Sequence, residues 1–468
     1  MRTVLGFCAA AVAATCGWGY TFERAYGTPA QETGVGIVAL DDGGFLAAAA
    51  TEPEPGWSGT LLVRIDGRGE QLWARTIIDS NVVAIPNAIA GDGVGGCLVV
   101  GKRRSERPDW DMFAVRFDPM GNPAWSVTWG LEQTSEVATS VCRTQDGWAV
   151  CGFTAENGQD DVRLDRLSES GARYGTVITG TDQPDYAYAV AQTADLGLAV
   201  AGSTLRPGSR FSDAYIIRTD LTGRVLWTRS FGDSLWDEAR AVVETPEHNI
   251  VAAGFSSSYG ASMDAYLFAT DSAGSGLWHR TYGFDGSDRA FGLCVAPDRG
   301  FLLTGESFAP GNEHSDVCLF RTDPAGLLQW QRFYGNVGDD RGAAAVSLPD
   351  SGLAIAGTTW KDSTNKSDLY VLRTGPLGEI GLAAVNGYLP GKALASPNPF
   401  RTCVRFTGGV DRARSSVRVY SADGRMVREL RGQAALQWDG RDTAGQHVRP
   451  GIYYAALPSG VAKLVKSE

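Results

Sequence analysis

Acidic residues at a repeated position are the side chains whose type and spacing could support chemistry in this sequence. They stand just before short strands rich in small residues, at multiples of about fifty residues: Glu32, Asp185, Asp237, Asp288 and Asp340, with Glu136 one place out of register. Carboxylates gathered at the mouth of a channel would focus a negative potential and capture a cation, or a basic or hydroxyl-rich ligand. The alternative is that each carboxylate accepts backbone N–H bonds from its own turn, which leaves no ligand site.

Residues suited to enzyme catalysis are sparse and scattered. The four histidines form no H-E-x-x-H pattern, and no G-x-S-x-G elbow or phosphate-binding glycine loop occurs. Two carboxylates suffice for a glycosidase, but a repeated set of acids does not single out a pair. We therefore predict a non-enzymatic binding or scaffold protein with no catalytic residue, cofactor or metal site. The alternative is a secreted hydrolase or lyase directed at polysaccharide, with its active site on a loop-rich face.

A repeat of about fifty residues organises most of the chain. An aromatic residue recurs at intervals of 51, 52, 49, 53, 51 and 52 residues: Phe22, Trp73, Trp125, Tyr174, Trp227, Trp278 and Trp330. Most copies of the tryptophan close the motif D-x-x-G-x-x-x-W, as in DGRGEQLW and DPAGLLQW. Nearly every copy also has a strand that ends in glycine, such as Gly202, and a later strand that begins with aspartate, such as Asp213. Landmarks that recur together in this way identify a structural repeat.

The repeat predicts an all-β fold. Each copy reads as four short antiparallel strands, and seven such sheets around an axis predict a seven-bladed β-propeller over residues 20–381. The first strand of each copy is rich in small residues and is placed innermost, while the terminal aromatics fill the wider spaces between blades. We expect TFERAYG, at Phe22, to complete the last blade as its fourth strand and to cover an exposed edge. An open ring and an eight-bladed ring are the alternatives.

The closing motif and the aspartate-led third strands resemble those of extracellular bacterial repeat β-propellers. They are also superficially similar to quinoprotein blade motifs, with DLTGRVLW at Asp220 as the nearest case. The gap between aspartate and glycine there is one residue shorter than in quinoproteins, and the residues that contact their cofactor have no counterparts here. We therefore expect no quinone cofactor. A glycan, a protein or a cation is the expected ligand on the propeller face.

The N-terminus predicts export. One arginine precedes an uninterrupted apolar stretch from Val4 to Ala14, and small residues follow it. A stretch of about a dozen residues is too short to span a bilayer, so residues 1–19 are predicted to be a secretory signal peptide. Acylation of Cys16, as in a lipoprotein, is the alternative. No later run is long enough to cross a membrane, so we expect a secreted protein or one on the outer cell surface.

The last eighty or so residues differ in charge and pattern from the repeats. Residues 383–468 carry 13 Lys+Arg and 6 Asp+Glu, a net charge of +7, whereas the rest carries 29 and 47, a net charge of −18. The overall charge of −11 argues against a nucleic-acid partner. Residues 382–395 read as a linker, and alternating strands after it predict a small β-sandwich over residues 396–468.

The motifs of this terminal segment are SPNPF at Ser396, VRVYSADGRMVREL at Val417, and LQWDGRDTAGQHVRPGIYYAAL at Leu436. They resemble the immunoglobulin-like domain of the flagellar hook-capping (FlgD) type and the type A sorting domain of type IX secretion. The resemblance implies a partner in the secretion or surface-anchoring machinery. The chain ends in KLVKSE, where sorting domains usually have a basic finish. A stabilising tail with no sorting role is the alternative.

One cysteine pair can be assigned a position from the predicted register. Cys142 and Cys151 flank Asp146-Gly147, a strong signal for a two-residue hairpin turn. With that turn the two cysteines are directly opposite each other at a non-hydrogen-bonded position, within disulfide range. Two buried free thiols are the alternative. The other cysteines after the signal peptide have no readable partners, and their spacings do not resemble a zinc site.

Overall fold

The computed structural model has two compact units, Met1–Ile380 and Gly381–Glu468. Its described residues contain strands and no helix, so no helix there is long and apolar enough to cross a membrane. The predicted signal peptide, residues 1–19, lies outside the described residues, as does most of the predicted linker. The structure describes residues 20–54, 57–78, 82–105, 108–155, 158–260, 262–283, 286–308, 314–336, 338–361, 366–380, 394–396, 400–407, 416–421, 426–431, 437–457 and 460–467.

The first unit consists of short strands separated by tight turns and loops. In chain order they are β1 (Phe22–Tyr26), β2 (Gln31–Ala39), β3 (Phe45–Glu54), β4 (Trp57–Ile65), β5 (Gln71–Ile77), β6 (Val83–Gly91), β7 (Cys97–Arg104), β8 (Asp111–Phe117), β9 (Pro123–Trp129), β10 (Glu136–Thr144), β11 (Gly147–Thr154), β12 (Asp161–Leu167), β13 (Arg173–Thr179), β14 (Asp185–Gln192), β15 (Leu198–Leu205), β16 (Ser212–Thr219), β17 (Val225–Phe231), β18 (Asp237–Glu244), β19 (Ile250–Ser256), β20 (Asp264–Thr270), β21 (Gly276–Tyr282), β22 (Asp288–Val295), β23 (Phe301–Ser307), β24 (Asp316–Thr322), β25 (Leu328–Tyr334), β26 (Asp340–Ser347), β27 (Leu353–Lys361) and β28 (Lys366–Thr374).

These strands form a β-propeller of four-stranded antiparallel blades. Five separate four-stranded sheets are present: β10–β13, β14–β17, β18–β21, β22–β25, and a sheet with the order β1-β28-β27-β26. The sequence predicts seven separate sheets, but β2–β9 form a single eight-stranded sheet. Its two meanders, β2–β5 and β6–β9, are joined because one parallel bridge forms between Ser58 of β4 and Val83 of β6.

The N-terminal strand closes the propeller as predicted. Strand β1 pairs antiparallel with β28, from Phe22 opposite Arg373 to Tyr26 opposite Leu369. The first strand of the unit therefore completes the sheet that contains its last strand. This pairing covers an edge of β28 that would otherwise present unpaired backbone groups to solvent.

The motif D-x-x-G-x-x-x-W forms the turn between the third and fourth strands, which we name the outer turn. In one copy the Asp323 carboxylate accepts the N–H groups of Ala325 and Leu327 at 2.9 and 2.8 Å. Gly326 has a φ of +75°, and a Cβ on it would lie 2.7 Å from the Trp278 ring of the preceding sheet. Glycine is required both by the left-handed backbone and by this contact. The outer turn of one sheet thus receives the tryptophan of the sheet before it, as predicted.

The arginine two residues after the tryptophan stacks on it. The guanidinium carbons of Arg75, Arg280 and Arg332 lie 5.5, 5.8 and 5.5 Å from the ring centroids of the tryptophans on their own strands. Arg24 instead pairs with Glu70 at 2.7 Å. A cation on an exposed aromatic face contributes about 0.5–1 kcal/mol.

Hydrophobic cores lie between neighbouring sheets. One core combines Ala199 and Ile216 of the β14–β17 sheet with Val242, Tyr266 and Phe268 of the next sheet, and all five are buried. A propeller sheet has two such faces, which is why its second and third strands are apolar on both sides. Stability therefore depends on every sheet having a neighbour.

The second unit has a three-stranded sheet and a four-stranded sheet, with orders β29-β30-β33 and β32-β31-β34-β35. The strands are β29 (Leu394–Ser396), β30 (Val404–Thr407), β31 (Ser416–Ser421), β32 (Met426–Arg431), β33 (Gln437–Trp438), β34 (Gly451–Leu457) and β35 (Gly460–Lys466). Trp438 is fully buried in a core drawn from both sheets, with Phe400 and Tyr453 at centroid distances of 5.4 and 5.1 Å. The Trp438 indole N–H donates to the Arg441 carbonyl at 2.8 Å, which satisfies its one polar group.

Candidate functional site

The first strands of the meanders form a closed ring around an axis. Strands β2, β6, β10, β14, β18, β22 and β26 each contact the next, and β26 contacts β2. We name them the inner strands. Their position was predicted from their small residues, which allow backbones to crowd together at the axis.

Every inner strand carries a β-bulge at the same position. The register with the second strand skips one residue in each case, and we name the skipped residues the ring residues: Val35, Asn87, Thr139, Tyr188, Arg240, Phe291 and Ala343. A bulge leaves one residue unpaired and re-aims its side chain. Here all seven of these residues line the axial cavity.

In six of the seven second strands a glycine lies opposite the bulge, whereas β3 has Ala49 at that position. A Cβ on Gly202 would lie 1.8 Å from the Tyr186 carbonyl oxygen, and one on Gly254 would lie 1.9 Å from that of Glu238. Gly101, Gly152, Gly305 and Gly357 face the same obstruction. The repeated glycine therefore lets the inner strand approach closely enough to turn one side chain towards the axis.

The ring residues lie where two chambers of the axial cavity meet. The loop-side chamber has a volume of about 390 Å³ and includes Thr33, Lys102, Arg341 and Thr358 in its lining. It lies towards the beginning of the inner strands, where the loops between sheets enter. The turn-side chamber has a volume of about 260 Å³ and is lined mainly by small and aliphatic residues such as Ile37, Val141 and Leu293. The polar and charged groups are thus concentrated in the loop-side chamber.

One side of the loop-side chamber is built from arginines stacked on aromatic rings. The guanidinium carbon of Arg240 lies 3.8 Å from the centroid of Tyr188, and that of Arg341 lies 3.8 Å from the centroid of Phe291. The Tyr188 hydroxyl is 3.2 Å from Ser203 Oγ, which fixes the ring. Stacking of a guanidinium on an aromatic face orients the cation without using its N–H donors.

The charges of the arginines on this side are unequally compensated. Arg240 pairs with Glu238 at 2.5 Å, and Arg289 pairs with Glu306 at 3.3 Å. Arg341 has no ion pair or hydrogen bond among the described residues, although it is accessible to solvent within the cavity. Desolvation by the surrounding protein lowers the pKa of Arg341. Glu306 opposes this effect, whereas the Arg240 and Arg289 cations add to it.

The opposite side of the ring is small and neutral. Asn87 Nδ2 donates to the Ala138 carbonyl at 2.7 Å, and Thr139 Oγ1 donates to the Ala187 carbonyl at 2.7 Å. Each bond links one inner strand to the next, so these two side chains hold the ring together. Lys102 adds a cation on this side, with its Nζ 4.7 Å from the Trp110 centroid. Burial, and to a smaller extent Arg104, lowers the pKa of Lys102.

The chain matches no protein-family model and no curated protein sequence. Among solved structures, it is similar to a protein of unknown function from Dyadobacter fermentans, at 11% identity over 76% of this chain and 98% of that one, with a TM-score of 0.43. It is also similar to BBS1N, solved in complex with ARL6DN, at 12% identity, 76% and 96% coverage and a TM-score of 0.44. Sqt1 from Chaetomium thermophilum is a further match, at 12% identity, 82% and 96% coverage and a TM-score of 0.37. At these values the likenesses carry no inference about activity or ligand.

The acids predicted to line the channel mouth lie elsewhere. Glu32, Asp185, Asp237, Asp288 and Asp340 are all fully buried, and none lines either chamber. Four of them accept a backbone N–H from the loop just before their own strand: Glu32 from Thr28, Asp185 from Thr181, Asp237 from Asp233 and Asp340 from Asn336. The hydrogen bonds therefore favour the structural alternative over a solvent-facing carboxylate ring.

These acids meet the aspartates that begin the third strands. A Cβ on Gly180 would lie 2.6 Å from the Asp161 carboxylate and 2.7 Å from that of Asp185, so the glycine separates the two acids. Burial raises the pKa of Asp185, and the nearby Asp161 raises it further. The two acids thus recur together at the junction between successive sheets.

The predicted Cys142–Cys151 disulfide is not formed, because the predicted register is wrong. Thr144 pairs with Gly147, so the two-residue turn is Gln145-Asp146 rather than Asp146-Gly147. Cys142 is therefore opposite Ala149, Cys151 is opposite Ser140, and both cysteines are free thiols. Burial raises the pKa of each thiol to about 12, which keeps both protonated at neutral pH.

The described histidines do not form a reaction centre. His279 packs against Tyr259 and Tyr266, His248 is 3.4 Å from Glu244, and His314 is 3.5 Å from Asp339. Within the described ranges, no three His, Cys, Asp or Glu side chains are grouped so that they could hold a metal ion.

Sequence reasoning did not find the ring residues, although a signal for them is present. Six of the seven lie between two small residues, as in Ala187-Tyr188-Ala189, Ala239-Arg240-Ala241 and Ala290-Phe291-Gly292, whereas Asn87 follows Pro86. A residue that differs from repeat to repeat between small neighbours marks a position where the side chain has its own space. Strand alternation alone does not reveal the bulge that creates this space.

Proposed function

We propose that this protein is an exported, non-enzymatic binding protein whose β-propeller takes its ligand in the axial cavity. The observation that carries the proposal is the set of ring residues. The positions around them recur from repeat to repeat, whereas the ring residues are Val, Asn, Thr, Tyr, Arg, Phe and Ala. A cavity of this size with convergent polar groups is the usual form of a small-molecule site.

We count the propeller as seven-bladed. The two halves of the eight-stranded sheet are complete four-stranded meanders, and only the bridge between Ser58 and Val83 joins them. Two blades from this sheet and five from the others make seven, in agreement with the seven inner strands. The single bridge is then a local contact between neighbouring blades.

The C-terminal segment, residues 396–468, is proposed to be an immunoglobulin-like sorting or anchoring domain. Its sequence motifs support this, as does the buried Trp438 between two antiparallel sheets. The signal peptide proposed for residues 1–19 would direct export, and the terminal domain would contact the secretion or surface-anchoring machinery. The mature protein would then be secreted or held on the outer cell surface.

The binding proposal is tested with a cavity-filling variant. The full-length mature chain is screened against an array of neutral and acidic oligosaccharides, and hits are measured by calorimetry. Ala343→Phe adds a phenyl ring among the ring residues and should abolish binding. Ala124→Phe places the same group on the exposed strand β9 and should leave binding unchanged. Equal binding by Ala343→Phe and the wild type would exclude the axial cavity as the site.

Export and sorting are tested by fractionation of the native host. Cells that express the full chain are compared with cells that express a chain ending at residue 380, with a tag in a loop of the first unit. We expect the full chain at the cell surface or in the medium and the shortened chain in the periplasm. Identical distribution of both chains would contradict a sorting role. New reducing ends after incubation with polysaccharide would contradict the non-enzymatic assignment.

A further inference from the structure

Three arginines come from consecutive inner strands: Arg240 of β18, Arg289 of β22 and Arg341 of β26. Arg240 and Arg341 line one side of the loop-side chamber, whereas Arg289 lies outside its lining. Glu238 neutralises Arg240, and Glu306 neutralises Arg289. Arg341 keeps its full set of N–H donors, because no described side chain or carbonyl accepts from it.

The position of Arg341 is fixed although its donors are unused. Its guanidinium lies 3.8 Å above the Phe291 ring, so the plane of the cation is supported from one face. A supported guanidinium presents its N–H groups in its own plane, a geometry that matches the paired oxygens of a carboxylate or phosphate. An unsupported surface arginine would lose much more conformational freedom on binding.

The chamber carries surplus positive charge in a protein of net charge −11. Lys102 also lines it, and among the described residues its charged group contacts only the Trp110 ring. No Asp or Glu of the described chain lines either chamber. A concave site with unpaired cations and low-dielectric walls draws anions and excludes other cations. This is opposite in sign to the carboxylate site that the sequence predicts.

We propose that the loop-side chamber binds a small molecule through an oxyanion group, with Arg341 as the principal contact and Lys102 as a second cation. The inference depends on the axial cavity being the ligand site proposed above. A volume of about 390 Å³ accommodates a ligand of the size of one or two sugar rings. The carboxylate of an acidic sugar and the phosphate of a sugar ester share the required chemistry.

Calorimetry on the full-length mature chain tests the inference with four probes: galacturonate, galactose, glucose 6-phosphate and inorganic phosphate. We expect binding of at least one oxyanion, and at least tenfold weaker binding of galactose than of that oxyanion. Preference for galacturonate would identify a carboxylate ligand, and preference for either phosphate compound would identify a phosphate ligand. Affinity should fall as ionic strength rises, because the attraction is electrostatic.

Substitution of Arg341 gives the decisive comparison. Arg341→Gln should weaken oxyanion binding by about 10- to 100-fold, since it removes a charge-assisted paired contact. Arg341→Lys keeps the charge, loses the planar fork and should give an intermediate affinity. Arg332→Gln is the matched control, because Arg332 also stacks on an aromatic ring but lies exposed on strand β25. Its affinity should equal that of the wild type, and circular dichroism should show that all variants are folded.

Two results would overturn the inference. One is wild-type affinity for oxyanions in Arg341→Gln, and the other is a wild-type protein that binds none of the oxyanions at millimolar concentration. If Ala343→Phe abolishes binding of an array ligand but Arg341→Gln leaves it unchanged, the axial site stands and the oxyanion assignment fails. If neither variant changes binding, the axial site itself is wrong.

Discussion

The outer turns and the ring residues lie at opposite edges of the same sheets. The residues of the outer turns recur from repeat to repeat, whereas the ring residues differ. At the outer edge, the aspartate, glycine and tryptophan of D-x-x-G-x-x-x-W recur because each has a defined contact, as between Gly326 and Trp278. At the inner edge, the backbone bulge recurs but its side chain does not. The repeat thus conserves what builds a sheet and leaves one position in each inner strand free to vary.

Specificity in this molecule is located at the positions where the repeats differ. A residue that recurs in most sheets contributes to packing, since each copy has the same neighbours. A residue that differs in every sheet, at a position the backbone holds constant, can change without loss of the fold. The ring residues meet that condition, whereas the repeated acids do not. Four experiments distinguish the two kinds of position, in decreasing order of their effect on stability.

Gly202→Ala should be the most damaging single change. The added Cβ would meet the Tyr186 carbonyl oxygen at 1.8 Å, so the inner strand must move. We expect a loss of about 3 kcal/mol, as for other overpacked sites, measured as a shift of the first urea unfolding transition. Gly276→Ala is the control, because its Cβ would meet only an ordinary contact at 3.8 Å. Equal stability of the two variants would show that the close approach of β14 to Gly202 does not require glycine.

Trp227→Ala should reduce stability without affecting ligand binding. Its ring packs on Gly274 of the next sheet, and its indole N–H donates to the Ser272 carbonyl at 2.9 Å. A half-buried tryptophan at such a contact should contribute about 2 kcal/mol. Leu226→Ala, at the exposed neighbouring residue, should change stability very little. Weaker ligand binding by Trp227→Ala at a temperature where it is folded would contradict the separation of the two edges.

Thr139→Val tests an exception, a ring residue that also supports the fold. Its hydroxyl donates to the Ala187 carbonyl of the next inner strand at 2.7 Å. Loss of this hydrogen bond should cost about 1 kcal/mol in thermal or urea unfolding. Thr76→Val, on the exposed strand β5, is the matched control and should be nearly neutral. An unchanged stability in Thr139→Val would show that this hydrogen bond does not support the fold.

Asp185, at the start of β14, and Asp195, in the turn after β14, should respond to pH in opposite directions. Burial, together with Asp161, raises the pKa of Asp185. Although burial opposes it, hydrogen bonds from Arg218 and Thr193 lower the pKa of Asp195 to about 2. Ionised Asp185 therefore reduces stability at neutral pH, and this cost disappears as pH falls through its raised pKa. Ionised Asp195 adds stability above an unfolded pKa near 3.8, and this is lost as pH falls towards 2.

Substitution by asparagine makes this prediction measurable. Asp185→Asn should be more stable than the wild type at pH 7, and the difference should shrink in acid. Asp195→Asn should be slightly less stable at pH 7, because Asp195 is largely exposed and its ion pair is screened, and the difference should vanish near pH 2. The same pH profile for both variants would show that the two carboxylates share one environment.

Features that leave a repeated local pattern could be predicted from the sequence. Features that depend on contacts between distant residues could not. The strands, outer turns, tryptophan contacts and closure by Phe22–Tyr26 were predictable, because each leaves a spaced pattern that recurs. The cysteine register was wrong because Gly147 is used to pair with Thr144 and not as a turn residue, a choice that two residues of sequence do not determine. The acids were placed at the mouth because their spacing is regular, but regular spacing carries no information on burial.

By itself, the sequence determined the repeat and therefore the β-propeller, since local turn signals and periodic apolar residues are enough to specify a sheet that needs neighbours on both faces. It also determined that a segment of different charge and pattern follows the repeats. Only the tertiary structure decided which side chains face the axis, because a bulge in each inner strand selects Arg240 or Phe291 over its neighbours. It also decided that the charge of the axial cavity is positive and not negative. The repeated carboxylates fold into the junctions between sheets, and cations that are about 100 to 240 residues apart in sequence meet in one cavity.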